Sequence, residues 1–222
     1  MQFKNQSKKA KSKQAGVYLA SGLKEFEEMM EMFIYLKDTK VKSKSKFNLR
    51  GLSNAGFEKC AIADNISGKG SDCLNLEALT GGTYDKIEIE LKGHGVDFID
   101  IDKILDLSPL LPTESYGKIM RYILEDDKTD CAVLSIVPET GALDTLPDKD
   151  GNFNENSLLY EIIKLKEDYK KPFVISISEG KVHDPLVDEL RRNGIVVFRY
   201  VDEATQMLGK YMQHRSNMQN ID

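Results

Sequence analysis

The chain has 222 residues, a formal net charge of −5 and a sequence pI near 5.4; 41% of its residues are hydrophobic and 30% charged. That is enough for one large domain, or a domain with an appendage, around a real core. The acidic balance speaks against a nucleic-acid binder, whose footprint is broadly basic. No run approaches the ~20 apolar residues that span a bilayer, and the Lys-rich start has no apolar stretch behind it as a signal peptide requires. Cys60, Cys73 and Cys131 are odd in number and lack metal-ligand spacing. Each lies in an apolar pattern, so buried thiols are expected and not a disulfide. These features predict a cytoplasmic protein with neither a membrane nor a nucleic acid as partner, and no metal site.

Residues 1–15 read as a mobile tail, with lysines at Lys4, Lys8, Lys9, Lys11 and Lys13 and little apolar beyond Phe3. Such a segment is either solvated or docks on an acidic surface. Residues 16–46 read as a helical extension and linker. Gly16–Ser21 is a short extended piece, and Ser21 is placed as an N-cap with Glu25 in the first turn. Phe26, Met29, Met30, Phe33 and Ile34 then repeat at helical spacing, so this helix covers something.

Residues 47–214 form the predicted α/β domain, and 215–222 a tail. Phe47 to Asp64 is an apolar strand that runs through Ser53-Asn54-Ala55-Gly56 into a helix. A small-residue turn at a helix start exposes backbone N–H groups that have no partner inside the helix, and the helix dipole there favours negative charge. The turn is a candidate phosphate cradle. The alternative is a plain βα connection in which Ser53 or Asn54 caps the helix. Ser67–Ser71 resembles half a phosphate loop but follows a helix and lacks the full spacing. Cys73–Leu79 alternates as a second strand, Thr80–Thr83 is a turn, and Tyr84–Leu91 is helical up to Gly93-His94-Gly95. His94 is either a loop histidine after a helix stop or a catalytic one. Phe98–Leu107 alternates apolar residues with Asp97, Asp100, Asp102 and Asp106. Without the glycine and terminal glutamate of a calcium loop, this reads as a solvated edge. Thr113–Leu124 is a helix with Tyr116, Ile119, Met120 and Ile123 on one face.

Cys131–Val137 is a continuous apolar run of strand length, the mark of a strand buried on both faces of a parallel sheet. It ends in the loop Pro138-Glu139-Thr140-Gly141. Leu158–Tyr169 is a helix. Pro172–Ser178 is another buried strand and ends at Glu179-Gly180. Pro185–Asn193 is a helix stopped by Gly194. Ile195–Arg199 is the last strand, and Asp202 caps a helix from Glu203 to about Gln213. His183 and His214 lie beside helix ends without evident partners. The alternation with short connections predicts a flavodoxin-like three-layer αβα sandwich, with a mainly parallel sheet of about five strands. Ligands of such sheets sit beyond the carboxyl ends of the strands, where Ser53–Gly56, Pro138–Gly141 and Ser178–Lys181 are expected to meet.

Leu52-Ser-Asn-Ala-Gly56 followed by Ala61-Ile-Ala-Asp64 resembles the Asn-Ala-Gly strand–helix turn and the Ala-Ala-Asp of the NDP-forming acyl-CoA synthetases. That superfamily includes ADP-forming acetyl-CoA synthetase and succinyl-CoA synthetase. Leu105-Asp-Leu-Ser-Pro109, Asp130-Cys-Ala-Val-Leu-Ser-Ile136, Lys171-Pro-Phe-Val174, Gly194-Ile-Val-Val-Phe198 and Asp202-Glu-Ala204 follow the family's order, and Gly16–Leu36 resembles its preceding segment. The resemblance spans roughly residues 16 to 212 and implies a ligase domain or subunit. In that family a phosphoryl group moves between acyl-CoA, a histidine and a nucleotide, and two helix N-termini hold the phosphohistidine. The resemblance places Ser53, Asn54, Ala55 and Gly56 at one of them. Pro138, Glu139, Thr140, Gly141, Glu179 and Gly180 would be further site loops. No catalytic residue is assigned. The phosphohistidine loop, the CoA-binding Rossmann domain and the ATP-grasp domain of the family have no counterpart in these residues. This chain is therefore expected to be incomplete alone. CoA and ADP or ATP with phosphate are expected only for the complete enzyme. The implied partners are the CoA-binding and ATP-grasp domains or subunits, with a homo-oligomer also possible. The alternative reading is a non-catalytic, flavodoxin-like scaffold or small-ligand-binding protein derived from that family.

Overall fold

A computed structural model describes residues 11–12, 15–68, 71–96, 99–178 and 180–219. Six parallel strands, β1 (Phe47–Ser53), β2 (Leu74–Asn75), β3 (Ile104–Asp106), β4 (Cys131–Ile136), β5 (Phe173–Ile177) and β6 (Val197–Phe198), form one sheet. The helices are α1 (Leu23–Tyr35), α2 (Gly56–Asp64), α3 (Gly81–Gly93), α4 (Thr113–Glu125), α5 (Leu158–Asp168), α6 (Asp184–Arg192) and α7 (Val201–Met218). The order runs from β1 through β4 and β5 to β6, while β2 and β3 share the other side of β1. The three-layer sandwich is the predicted one.

The predicted second strand, Cys73–Leu79, is cut to β2, and the sixth strand, β3, comes from a different segment beyond α3. β2 pairs with Phe47 and Asn48, and β3 with Gly51 to Ser53. Arg50 explains why β2 stops after two residues. Its guanidinium is buried and donates to the carbonyls of Glu77 and, at 3.2 Å, Ala78. Those carbonyls are thereby diverted from a ladder. Burial pushes the Arg50 pKa down, and Asp126, 3.9 Å away, opposes this. Asp126 in turn accepts the N–H of Thr80 at 2.9 Å and its hydroxyl at 2.7 Å, so the chain turns into α3. The segment predicted as a solvated edge supplies β3, with Ile104, Leu105 and Leu107 buried. The backbone approach needs Gly51, since a Cβ there would lie 2.7 Å from Ile104 Cγ2. Asp97 and Phe98 lie outside the described residues.

Side chains alternate across the sheet at the strand period of two. Leu49, Cys131, Val133 and Val174 face a core closed by α1, α2 and α7. Leu52, Leu134, Ile136, Ile175 and Ile177 face α4, α5 and α6. Tyr116, Ile119, Met120 and Ile123 all enter the second core, as their spacing predicts. Each fully buried aliphatic or aromatic side chain contributes about 1.5–3 kcal/mol.

Several boundaries differ from the sequence expectation. Ser21 is not the N-cap of α1; Gly22 is, and the Ser21 hydroxyl donates to Glu25. Met29, Met32 and Leu36 are buried, whereas Phe26, Met30 and Ile34 are exposed. Asp202 lies inside α7, whose N-cap is Tyr200, and the helix continues past Gln213 to Met218 because Tyr211, Met212 and Ser216 are still covered. Cys73 and Cys131 are buried free thiols, but Cys60 is exposed. Residues 1–10, 13, 14 and 220–222 of the two predicted tails lie outside the described residues. Among the described residues no helix is long and apolar enough to cross a membrane.

Candidate functional site

Because every strand runs the same way, the turns after β1, β3, β4, β5 and β6 share one edge of the sheet. At the end of β1, the Ser53 carbonyl accepts the Leu107 N–H at 2.7 Å, and its hydroxyl oxygen accepts the Ala55 N–H at 3.1 Å. Asn54 is buried and clamps β4: its Nδ2 donates to the Val137 carbonyl and its Oδ1 accepts the Val137 N–H, both at 2.8 Å. Neither residue caps α2. The N-cap is Ala55, with extended backbone and no side-chain cap, and its carbonyl accepts the N–H of Glu58 at 3.1 Å and of Lys59 at 3.3 Å. Among the described residues, no protein acceptor takes the N–H of Gly56 or Phe57. The four-residue turn thus reduces to two open backbone donors on the positive end of a helix dipole.

Gly56, the first of these donors, lines a cavity of about 600 Å³. Its charged lining is Lys59, Asp100 and Asp106, joined by Ser108 and Thr140. Asp106 ends β3, and its Oδ2 lies 3.1 Å from the position a Cβ on Gly56 would take. Its Oδ1 accepts the Ser108 N–H at 3.1 Å. Ser108 has φ 63°, the left-handed region that residues other than glycine rarely adopt. Lys59 is 3.8 Å from Asp102. The cavity therefore opposes a helix N-terminus and one ammonium to two carboxylates. Among the described residues no group of three or more histidine, cysteine or acidic side chains is placed to hold a metal.

Glu58, the third residue of α2, is buried against the end of β5. Ser178 donates its hydroxyl to Glu58 Oε1, while Oε2 is buried without a partner. Burial pushes this carboxyl's pKa up, and the Ser178 bond only partly opposes it. With the Asn54 clamp, this contact brings the turns after β1, β4 and β5 together. Sequence reasoning missed Glu58 because its role depends on Ser178, 120 positions away.

A second cavity of about 370 Å³ is bounded by Pro138–Gly141, Leu146 and His183, and Thr140 lines both cavities. His183 is buried; burial lowers its pKa and the Glu139 carboxylate opposes the shift. Its Nδ1 and the Thr140 Oγ1 are buried without partners. Gly180 is exposed and borders neither cavity, and Glu179 lies outside the described residues. Lys69 and Gly70 of the half phosphate loop lie outside them too. His94 ends α3, 2.6 Å from the Ser115 hydroxyl and 3.5 Å from Glu90, and lines neither cavity. His214 packs edge-on against Tyr18 and Phe33.

Solved structures share this architecture. PH0766 from Pyrococcus horikoshii OT3 superposes with a TM-score of 0.75 at 19% identity, covering 96% of this chain and 44% of that one. The fold is that of one part of a longer chain. Dinucleotide-forming acetyl-coenzyme A synthetase 1 from Ca. Korarchaeum cryptofilum, in its apo form, matches with a TM-score of 0.70 at 15% identity, covering 95% of this chain and 42% of that chain. The same synthetase in complex with phosphate and ADP gives 0.71 and 15%, covering 96% of this chain and 41% of that chain. No protein-family model and no curated protein matches the sequence. This chain thus spans less than half the length of each of these structural neighbours.

Proposed function

We propose that this chain is one flavodoxin-like domain or subunit of an NDP-forming acyl-CoA synthetase, an acid-thiol ligase, and that the start of α2 holds a phosphoryl group carried by a histidine of another segment. The observation that carries this reading is the pair of open N–H groups at Gly56 and Phe57, on a helix N-terminus whose Gly56 lines the larger cavity. Preorganised backbone donors stabilise a phosphoryl group without chemistry of their own. The fold shared with an acetyl-coenzyme A synthetase supports the class. CoA, ADP or ATP, and phosphate belong to the complete enzyme, whose CoA-binding and ATP-grasp parts are the partners. The second reading, a scaffold that has lost phosphate binding, is favoured by one specific feature: the Asp106 carboxylate stands beside Gly56, where an anion would sit.

Calorimetric titration with inorganic phosphate separates the two. On the synthetase reading the chain binds phosphate, Asp106→Asn binds it more tightly, and neither turns over acyl-CoA with ADP and phosphate. Turnover by the chain alone would overturn the half-site assignment. Absence of phosphate binding in both proteins would establish the scaffold.

A further inference from the structure

The turns at the two edges of the sheet differ in kind. The turns at the carboxyl edge each expose one large apolar side chain: Phe57 after β1, Leu110 after β3, Leu146 after β4, Val182 after β5 and Tyr200 after β6. All five are between 46% and 67% exposed. Among the described residues, the turns that enter β1, β2, β4, β5 and β6 from the opposite edge expose no such side chain. Scattered exposed apolar residues are ordinary, whereas a set collected on one face marks an interaction surface. Leu146 lines the smaller of the two cavities and Thr140 lines both, so the cavities adjoin on this edge. Strands about 4.8 Å apart make this edge about 19 Å wide, the length of about 13 helical residues.

Charge decides the occupant. The lining of the two cavities carries Asp100, Asp106, Glu139 and Asp144 against Lys59, beside a His183 whose pKa burial lowers. A second copy presenting the same edge would set carboxylates against carboxylates, and an anionic lipid surface would be repelled likewise. We propose that the carboxyl edge docks an amphipathic helix of a partner protein, whose apolar stripe meets Phe57, Leu146, Val182 and Tyr200 and whose lysines or arginines rim that stripe. Helix-in-groove recognition has this form: apolar anchors supply area and flanking charges set orientation and choice of partner. The inference uses the same edge as the phosphoryl reading but does not depend on phosphate.

The test uses two fluorescently labelled amphipathic peptides of about 18 residues, with one leucine seam and either lysine or glutamate rims. Their anisotropy is followed against the full chain, with Phe57→Ser/Val182→Ser/Tyr200→Ser as the edge variant and Phe26→Ser/Ile34→Ser on the exposed side of α1 as the control. The expected result is binding of the lysine-rimmed peptide at least about tenfold tighter than the glutamate-rimmed one, with a similar loss in the edge variant and none in the control. Amide-shift mapping on the unmodified chain gives the same answer should the edge variant fold poorly: the perturbed amides are those of the carboxyl edge. Equal binding of both peptides, undiminished binding to a folded edge variant, shifts confined to α1, or self-association through this edge would each overturn the proposal. Loss of peptide binding with phosphate binding intact would sink the docking surface alone.

Discussion

Asn54 ties the end of β1 to Val137, just beyond β4, through two side-chain hydrogen bonds. A helix cap or phosphate ligand would tolerate alanine with a small loss of stability; a clamp between two strands would not. The Asn54→Ala substitution removes two hydrogen bonds of 2.8 Å and strands the N–H and C=O of Val137 at the start of the Pro138 loop. Each of the two Val137 groups left unpaired costs about 1–3 kcal/mol, so the total is about 2–6 kcal/mol. For a chain of this size that lowers the melting temperature by about 5–15 °C. Asn54→Asp keeps the acceptor for the Val137 N–H but sets a carboxylate against the Val137 carbonyl, and it should be no more stable than the alanine variant. Thermal unfolding followed by circular dichroism measures both. A fall of less than about 2 °C in Asn54→Ala would refute the clamp and return Asn54 to the role of a helix cap or phosphate ligand.

Two glycines five positions apart should respond oppositely. Gly51→Ala drives a methyl into Ile104 and Ile62 within the sheet and should cost about 1–3 kcal/mol in denaturant titration, whereas Gly56→Ala meets only the Asp106 carboxylate, which can turn away, and should change stability by less than about 1 kcal/mol. The Glu58 pKa is raised in the folded state by burial, so the folded chain binds more protons than the unfolded one and stability falls as pH rises from the ordinary glutamate range towards that raised value. Glu58→Gln, which keeps an acceptor for Ser178, should remove that slope; an unchanged slope between acidic and neutral pH would contradict the assignment. Thiol labelling of the native chain should modify Cys60 alone. Cys73, with its pKa pushed up to about 11 by burial, and Cys131 should react only on unfolding.

The parallel sheet was legible in the sequence because its central strands are continuous apolar runs of strand length. Cys131–Ile136 and Phe173–Ile177 sit where those runs place them, and the helix faces built on Tyr116, Ile119, Met120 and Ile123 follow from spacing alone. The shortening of the second strand was not legible, because it depends on Arg50 capturing two carbonyls 27 and 28 positions away. In α1, periodicity shows that two sides are apolar. Only packing against α7 decides that Met29 and Met32 are covered while Phe26 and Ile34 are not. At the candidate site, the turn itself could be read from small residues between a strand and a helix. The partners that define it could not: Val137, Asp106 and Ser178 come from three other strand ends, and no local pattern encodes which side chains meet there. Of the turn at Ser53–Gly56, the side chains of Ser53 and Asn54 are engaged within the protein, and the open donors are the amides of Gly56 and Phe57.

Those two amides offer the most direct measurement. In an amide-resolved titration of the chain with inorganic phosphate, saturable shifts are expected at Gly56 and Phe57. Ala55 should respond weakly, since Ser53 already holds its N–H at 3.1 Å, and Asp106→Asn should shift the titration to lower phosphate. Silence at both amides, or shifts centred on Ala55 or away from α2, would contradict the phosphoryl-binding reading.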